Sequence, residues 1–242
     1  MSIEIRDATV MAEGAGARVK RHLPLPVFMN FDPFVMFDHF ELGAGTGFPE
    51  HPHRGFEAIT YLFSGEIEHR DNLGNVSTVG PGGAQRFTAG SGIVHSEMPS
   101  VDETTSGIQL WVNLPRRLKA SEPAYEEAPA ETVPEVAFDG GRERRIAGQG
   151  GRVSLKTDAL YRHVMLDAGG RHAIELPAGW RAIVYLKDGA ARVNGQTLAA
   201  AQAAFLDGEV CIELEASEGS ELMVAAGHPH GEPIRQRGPY VD

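Results

Sequence analysis

The chain has 242 residues, the length of one large or two modest domains, and this is enough to bury a sizeable core. It carries 22 Lys and Arg against 33 Asp and Glu, and a net charge of −11 excludes the basic surface that nucleic acid or an anionic membrane would need. The single cysteine excludes an internal disulfide and a thiolate zinc cluster. Because no apolar stretch is long enough for a signal peptide or a membrane span, we expect a cytoplasmic protein.

Short apolar runs rich in Val, Ile, Leu, Tyr and Phe predict β-strands along the whole chain. Each run is closed by Gly, Asp or Pro, and helical periodicity is scarce, with its best short candidate at residues 115–120. The sequence therefore predicts an all-β protein. The runs are residues 58–67, 107–114, 161–168, 181–189 and 220–227.

Two pairs of polar residues in the first half have the spacing of metal ligands. His51 and His53 are two residues apart, and His95 and Glu97 repeat this spacing further along. Residues i and i+2 of a strand point to the same face, so neighbouring strands could supply three imidazoles and one carboxylate to one point. That donor set suits a divalent transition metal such as Fe, Mn, Ni, Cu or Zn.

The segment 115–151 separates two halves that resemble each other. It is rich in Pro, Glu, Ala, Gly and Arg, and we interpret it as a linker with some irregular structure. Residues 58–65 align without gaps onto 182–189 with five of eight positions identical, and Phe87-x-x-Gly90 matches Phe205-x-x-Gly208. These matches favour an internal duplication of a β-domain, with an N-terminal domain at 1–133 and a C-terminal domain at 134–242.

The second half lacks the metal ligands of the first. In the same alignment His51, His53 and Glu57 correspond to Glu175, Pro177 and Arg181, so we expect no metal in the C-terminal domain. A further pair, His228 and His230, has no partner segment after it, and we interpret it as a polar loop.

Several motifs resemble the pirins, a branch of the cupin superfamily. Gly45-x5-His51-x-His53-x3-Glu57 and Gly90-Ser91-Gly92-Ile93-Val94-His95 resemble the first and second cupin motifs. The pirin-like segments are Phe37-Asp38-His39-Phe40, His51 to Glu57, Thr88 to Pro99 and Gly238-Pro239-Tyr240-Val241. The resemblance covers the chain from end to end, and it implies two tandem cupin domains, each a jelly-roll β-barrel, with metal in the N-terminal one only.

The resemblance also implies which residues bind the metal. In pirins the ligands match His51, His53, His95 and Glu97 of this chain, and the metal is expected to be iron, with Mn, Ni, Cu, Zn or Co as alternatives. Glu57 competes with Glu97 as the acidic ligand, since it is an even number of residues from His51 and His53 and a regular strand would put all three on one face. We rank Glu97 first and expect Glu57 to orient a ligand imidazole.

The activity implied by the resemblance is cleavage of a flavonol such as quercetin by O2, as in quercetin 2,3-dioxygenase. The chain contains no Gly-x-Gly-x-x-Gly with a suitable acid and no Walker lysine motif, so the metal must carry the chemistry. Glu97 is then both a ligand and the base for the flavonol 3-hydroxyl. Two alternatives share these ligands: a regulatory pirin whose metal state alters a protein-binding surface without turnover, and an enzyme acting on an unrelated phenol.

Overall fold

Strands make up most of the regular structure in the computed structural model, which describes residues 2–242. The helical structure in this part of the chain consists of two 3-10 helices, Arg116–Leu118 and Ala130–Thr132, and the first lies within the helical candidate at 115–120. No helix of residues 2–242 is long and apolar enough to cross a membrane. The prediction of an all-β protein is confirmed.

The first twelve strands in chain order are β1 (Ser2–Asp7), β2 (Thr9–Glu13), β3 (Ala17–Leu23), β4 (Phe34–Leu42), β5 (Phe48–His53), β6 (Phe56–Ser64), β7 (Ile67–Asp71), β8 (Val76–Val79), β9 (Ala84–Thr88), β10 (Ile93–Pro99), β11 (Thr105–Asn113) and β12 (Ala124–Ala128). The later strands are β13 (Glu135–Phe138), β14 (Gly141–Ala147), β15 (Ala159–Leu166), β16 (Arg171–Glu175), β17 (Arg181–Asp188), β18 (Ala190–Val193), β19 (Gln196–Ala199), β20 (Gln202–Asp207), β21 (Cys211–Ala216), β22 (Ser220–Gly227), β23 (Gln236–Arg237) and β24 (Tyr240–Val241).

The chain forms two units, and each contains a seven-stranded and a four-stranded sheet. The first unit comprises residues 9–132 and 230–242, and the second comprises residues 2–8 and 133–229. The sheets of the first unit have the orders β12-β9-β6-β11-β4-β3-β2 and β5-β10-β7-β8. Those of the second have the orders β1-β20-β17-β22-β15-β14-β13 and β16-β21-β18-β19. In each unit apolar side chains from both sheets share a buried cluster, as expected for two sheets packed face to face.

The two units repeat the same strand order position by position. The aligned segments 58–65 and 182–189 fall on β6 and β17, and each of these is the third strand of its seven-stranded sheet. Both segments end in a glycine with positive φ, +68° at Gly65 and +91° at Gly189. The duplication predicted from the sequence is confirmed by this matching order.

Each end of the chain belongs to the unit formed by the other half. Strand β1 pairs with β20 from Ser2↔Asp207 to Asp7↔Gln202, while residues 230–242 pack with the first unit. The contiguous domains 1–133 and 134–242 predicted from the sequence differ from this division at both ends. Pairing between strands so distant in sequence leaves no local signal in either segment.

The interpretation of residues 115–151 as a linker with some irregular structure was wrong. Strand β12 pairs with β9, and β13 and β14 extend the seven-stranded sheet of the second unit beyond β15. These strands lie at or near sheet edges, where polar residues are tolerated because one face of the strand is open to solvent. Their polar composition therefore reflects their position in the sheet.

Glu143 on β14 anchors a buried ion cluster in the second unit. Its carboxylate accepts hydrogen bonds from Arg162 at 2.7 and 2.9 Å, from Arg145 at 2.7 Å and from His172 at 3.3 Å. Burial alone would raise the pKa of this carboxyl, but the hydrogen bonds from His172, Arg162 and Arg145 outweigh it and lower the pKa to about 2.

Replacing Glu143 with glutamine is expected to destabilise the protein at neutral pH and to lose this effect in acid. A depressed folded-state pKa adds stability above the unfolded value of 4.5, and that stability is lost as the pH falls towards 2. Urea unfolding at pH 6 and pH 3 measures the difference between wild type and Glu143→Gln. Glu135→Gln, which removes a more exposed carboxylate 3.8 Å from Arg142 and Arg144, is the control. A difference that does not shrink in acid would contradict the expectation.

Candidate metal centre

Three histidines from two neighbouring strands meet on one face of the four-stranded sheet of the first unit. Strand β10 runs antiparallel to β5 and places His95 directly opposite His51, with Ile93 opposite His53. The ring centroids of the three histidines are 4.5 to 4.9 Å apart, and one ligand nitrogen from each lies within 4.8 Å of the other two. The structure thus brings together His51, His53 and His95 in a group that could hold a metal ion.

Backbone carbonyls orient two of these imidazoles. His51 Nδ1 lies 2.7 Å from the Pro49 carbonyl oxygen, and His53 Nδ1 lies 3.3 Å from the Pro239 carbonyl oxygen. A carbonyl only accepts, so both rings carry their proton on Nδ1 and keep a free lone pair on Nε2. This is the tautomer that a metal needs when it binds through Nε2.

Burial favours the neutral, ligand-competent form of the two inner histidines. It lowers the pKa of His53 to about 3, with a further contribution from the nearby His51, and it lowers the pKa of His95 well below its usual value. His95 Nε2 is a buried polar atom with no hydrogen-bond partner among the described residues. Leaving such an atom unpaired is costly, and a bound metal ion would satisfy it. The residues therefore fit a metal.

Glu97 lines a cavity together with His51 and His53, but its carboxylate is held by other side chains. Its carboxylate accepts hydrogen bonds from Thr60 Oγ1 at 2.7 Å, from Gln109 Nε2 at 2.9 Å and from Gln85 Nε2. No Glu97 oxygen joins the three-histidine group within 4.8 Å, and the pairing of β10 with β5 shifts its register between His95 and Glu97. The assignment of Glu97 as a fourth ligand stays a prediction.

Glu57 lies on β6 of the seven-stranded sheet, whereas the three histidines lie on the four-stranded sheet, and the expectation that it orients a ligand imidazole stays a prediction. Its cross-strand neighbours are Thr88 and Val112, and Thr88 Oγ1 donates a hydrogen bond of 2.9 Å to Glu57 Oε1. The alternation that links Glu57 to His53 is broken at Gly55, where the chain turns between β5 and β6 with φ of +87°. Side chains alternate regularly between the two faces only within a continuous strand.

The histidine group opens onto a cavity of about 560 Å³. Most of its wall is apolar, and one part is polar, where Arg21 binds Asp38 at 2.6 Å and Glu13 at 2.7 Å. Burial raises the pKa of Asp38 to about 6, although its hydrogen bonds with Arg21 act in the opposite direction. The apolar wall is formed by Val19, Met36, Phe40, Phe48 and Trp111.

Sequence reasoning missed the residues that support the site from a distance. Asp38 lines the cavity, although in the sequence it stood out only as part of a pirin-like segment. Gln85 and Gln109 hold Glu97, and the signal that could have found them is a glutamine within a strand whose neighbours include large apolar residues. Pro239 gave no signal of its role, because its contact with His53 spans 186 residues. His230, interpreted as part of a polar loop, donates from Nε2 to the Asn113 carbonyl at 2.8 Å.

Comparison with known proteins matches both halves of the chain to described families. Residues 16–112 match the family Pirin, and residues 161–242 match the Pirin C-terminal cupin domain. A pirin-like protein of Caulobacter vibrioides is 42% identical over 95% of this chain and 88% of its own length. Human pirin is 38% identical over 95% of this chain and 83% of its own length. The crystal structure of quercetin 2,3-dioxygenase from Acinetobacter baumannii superimposes with a TM-score of 0.90 at 29% identity, covering 98% of this chain and 90% of that one.

Proposed function

The chain belongs to the pirin family, and from this premise we propose that its first unit is a metal-dependent dioxygenase site that cleaves flavonols such as quercetin with O2. His51, His53 and His95 would hold one divalent transition metal, with iron ranked first and Glu97 as the fourth ligand. The observation that carries this proposal is the convergence of three imidazoles, two with Nδ1 bound to a carbonyl, at the wall of a cavity. The quercetin dioxygenase with the same fold supports the choice of substrate.

The cavity suits a flat, hydroxylated aromatic molecule. A volume of about 560 Å³ lies within the range of pockets that hold small organic ligands, and the apolar wall includes the indole of Trp111 and the ring of Phe48. The charge of Arg21 is already satisfied by two carboxylates, Asp38 and Glu13, so this part of the wall carries an excess of acceptors. Acceptors favour a ligand that donates hydroxyl protons over one that carries a carboxylate.

The proposed reaction adds both atoms of O2 to the flavonol and releases carbon monoxide. A bound transition metal supplies Lewis acidity towards the substrate 3-hydroxyl and redox chemistry towards O2. Glu97 takes the proton of that hydroxyl, and Thr60, Gln85 and Gln109 keep its carboxylate in place. The aromatic rings of Phe87, Phe56 and Trp111, which contact His53, exclude water from the inner side of the group.

Replacing Glu97 with glutamine is expected to lower the turnover of quercetin by about 10²–10⁴-fold, the usual contribution of a positioned base. Oxygen consumption and carbon monoxide release by metal-loaded protein measure this loss. The control is Glu103→Gln, which removes an exposed carboxylate outside the site and should leave turnover unchanged.

Full oxygen consumption by Glu97→Gln would contradict the role of the base. Metal-loaded wild-type protein that binds quercetin without releasing carbon monoxide would contradict the dioxygenase itself. In that case a panel of other phenols, and a search for proteins that bind only the metal-loaded form, would separate the two remaining alternatives.

A further inference from the structure

A second polar pair lies next to the three-histidine group, on strand β7. His69 and Asp71 are two residues apart, and β7 pairs with β10 so that Asp71 lies opposite His95 and His69 lies opposite Glu97. Both side chains are completely buried. The sequence pattern gave these residues no role, and the proposed reaction does not use them.

The Asp71 carboxylate is surrounded by donors. Oδ1 accepts the backbone N–H groups of Leu73 at 2.9 Å and Asn75 at 3.0 Å, and Oδ2 accepts the side-chain amide of Asn75 at 2.8 Å. His69 Nε2 lies 3.1 Å from Oδ2. Because an ionised carboxylate only accepts, the proton of His69 resides on Nε2. Stacking on Tyr125, with ring centroids 4.1 Å apart, holds the plane of the His69 ring.

This proton placement decides the tautomer of His95. The Nδ1 atoms of His69 and His95 face each other at 3.4 Å, so one must donate and the other accept. With its proton on Nε2, His69 accepts at Nδ1, and His95 donates from Nδ1. The lone pair of His95 then resides on Nε2, the buried atom that has no partner among the described residues. The opposite arrangement would put the His95 proton on Nε2 and block metal binding there.

We propose that Asp71 and His69 are positioning residues that set the His95 tautomer and so present its Nε2 to the metal. Carbonyl oxygens do this for His51 and His53, but His95 faces another imidazole, which can either donate or accept. Asp71 removes that ambiguity. The inference rests on the metal site within the proposed function and is independent of the dioxygenase activity.

Two variants of the full-length protein test the proposal. His69→Phe keeps a ring against Tyr125 but removes the acceptor, and Asp71→Asn keeps the shape but offers His69 a donor as well as an acceptor. Each is expected to weaken Co²⁺ binding to metal-depleted protein by about 10–100-fold, the usual effect of losing a partner of a metal ligand. Competition with a chelator measures the affinity, and ¹⁵N-detected NMR of the histidine rings reads the His95 tautomer without metal.

The matched control is His172→Phe in the second unit. His172 also bonds a buried carboxylate, Glu143, and stacks on an aromatic ring, Phe138. It should show a comparable loss of packing, with Co²⁺ affinity unchanged. A purely structural role of His69 would lower thermal stability and leave the His95 tautomer as in wild type.

Three results would overturn the inference: wild-type Co²⁺ affinity in both variants, an unchanged His95 tautomer in both, or His95 protonated on Nε2 in metal-depleted wild type. The last measurement needs no variant to fold. If wild type binds Co²⁺ and the variants do not, but quercetin is not cleaved, the proposed activity fails and the positioning role stands.

Discussion

Replacing His95 with alanine is expected to remove the metal and to reduce quercetin turnover to background. His95 is 1% exposed and faces both other histidines, so the alanine variant leaves the group with two imidazoles. Structural zinc sites with four protein ligands bind with roughly 10–16 kcal/mol, and on that scale one ligand contributes about 3 kcal/mol. Its loss corresponds to about a 10²–10³-fold weaker metal affinity. Elemental analysis after dialysis and a chelator titration measure the effect.

The second His-Pro-His pair of the sequence provides the control for this variant. His228 is exposed and lies outside the three-histidine group, so His228→Ala should keep both the metal and the activity. Purification must avoid affinity tags and columns that bind or supply metal. Wild-type metal content in dialysed His95→Ala protein would show that the ion binds elsewhere, and the site described here would then be wrong.

Replacing Gly55 with alanine is expected to cause a large loss of stability together with weaker metal binding. Gly55 has φ of +87°, and a Cβ there would lie 1.8 Å from the carbonyl oxygen of Val241, an impossible contact. The Val241 carbonyl is also fixed by Lys119 Nζ at 2.8 Å. The C-terminal segment must therefore move, and Pro239, the acceptor for His53, moves with it. Exposing the fully buried Val241 side chain costs about 1.5–3 kcal/mol, and the left-handed backbone adds roughly 1–2 kcal/mol.

The contribution of backbone strain can be separated with Gly74→Ala. Gly74 has a similar φ of +91° but no atom within 4 Å of an added Cβ, so this variant carries the strain without the collision. Urea unfolding should show Gly55→Ala about 1.5–3 kcal/mol less stable than Gly74→Ala, the difference being the displaced Val241. Co²⁺ affinity should fall in the Gly55 variant only. Equal stability of the two variants would mean that the C-terminal segment does not depend on this contact.

The sequence predicted features that repeat over a few residues, and it missed features that join distant ones. The alternation within β5 and β10 was enough to place His51, His53 and His95 on one face, and the match of 58–65 with 182–189 was enough to reveal the duplication. The sequence wrongly placed Glu57 on the same strand face as His51 and His53, because Gly55 interrupts the alternation between β5 and β6. The contact between His69 and His95 could not be predicted for another reason. The two residues are 26 positions apart, and their contact depends on the register of β7 with β10.

The position of Pro239 has a consequence for how the protein is made. The three histidines are synthesised early in translation. The Pro239 carbonyl that orients His53 is synthesised only after the entire second unit. Until that point the nascent first unit lacks strand β24, the ion pair between Arg54 and Asp242, and the closing wall of its cavity. Domains generally fold in the order of their synthesis. Here residues 9–132 of the metal-binding unit precede residues 133–229 of the second unit, and residues 230–242 follow them, so the site is completed only after the second unit has been synthesised.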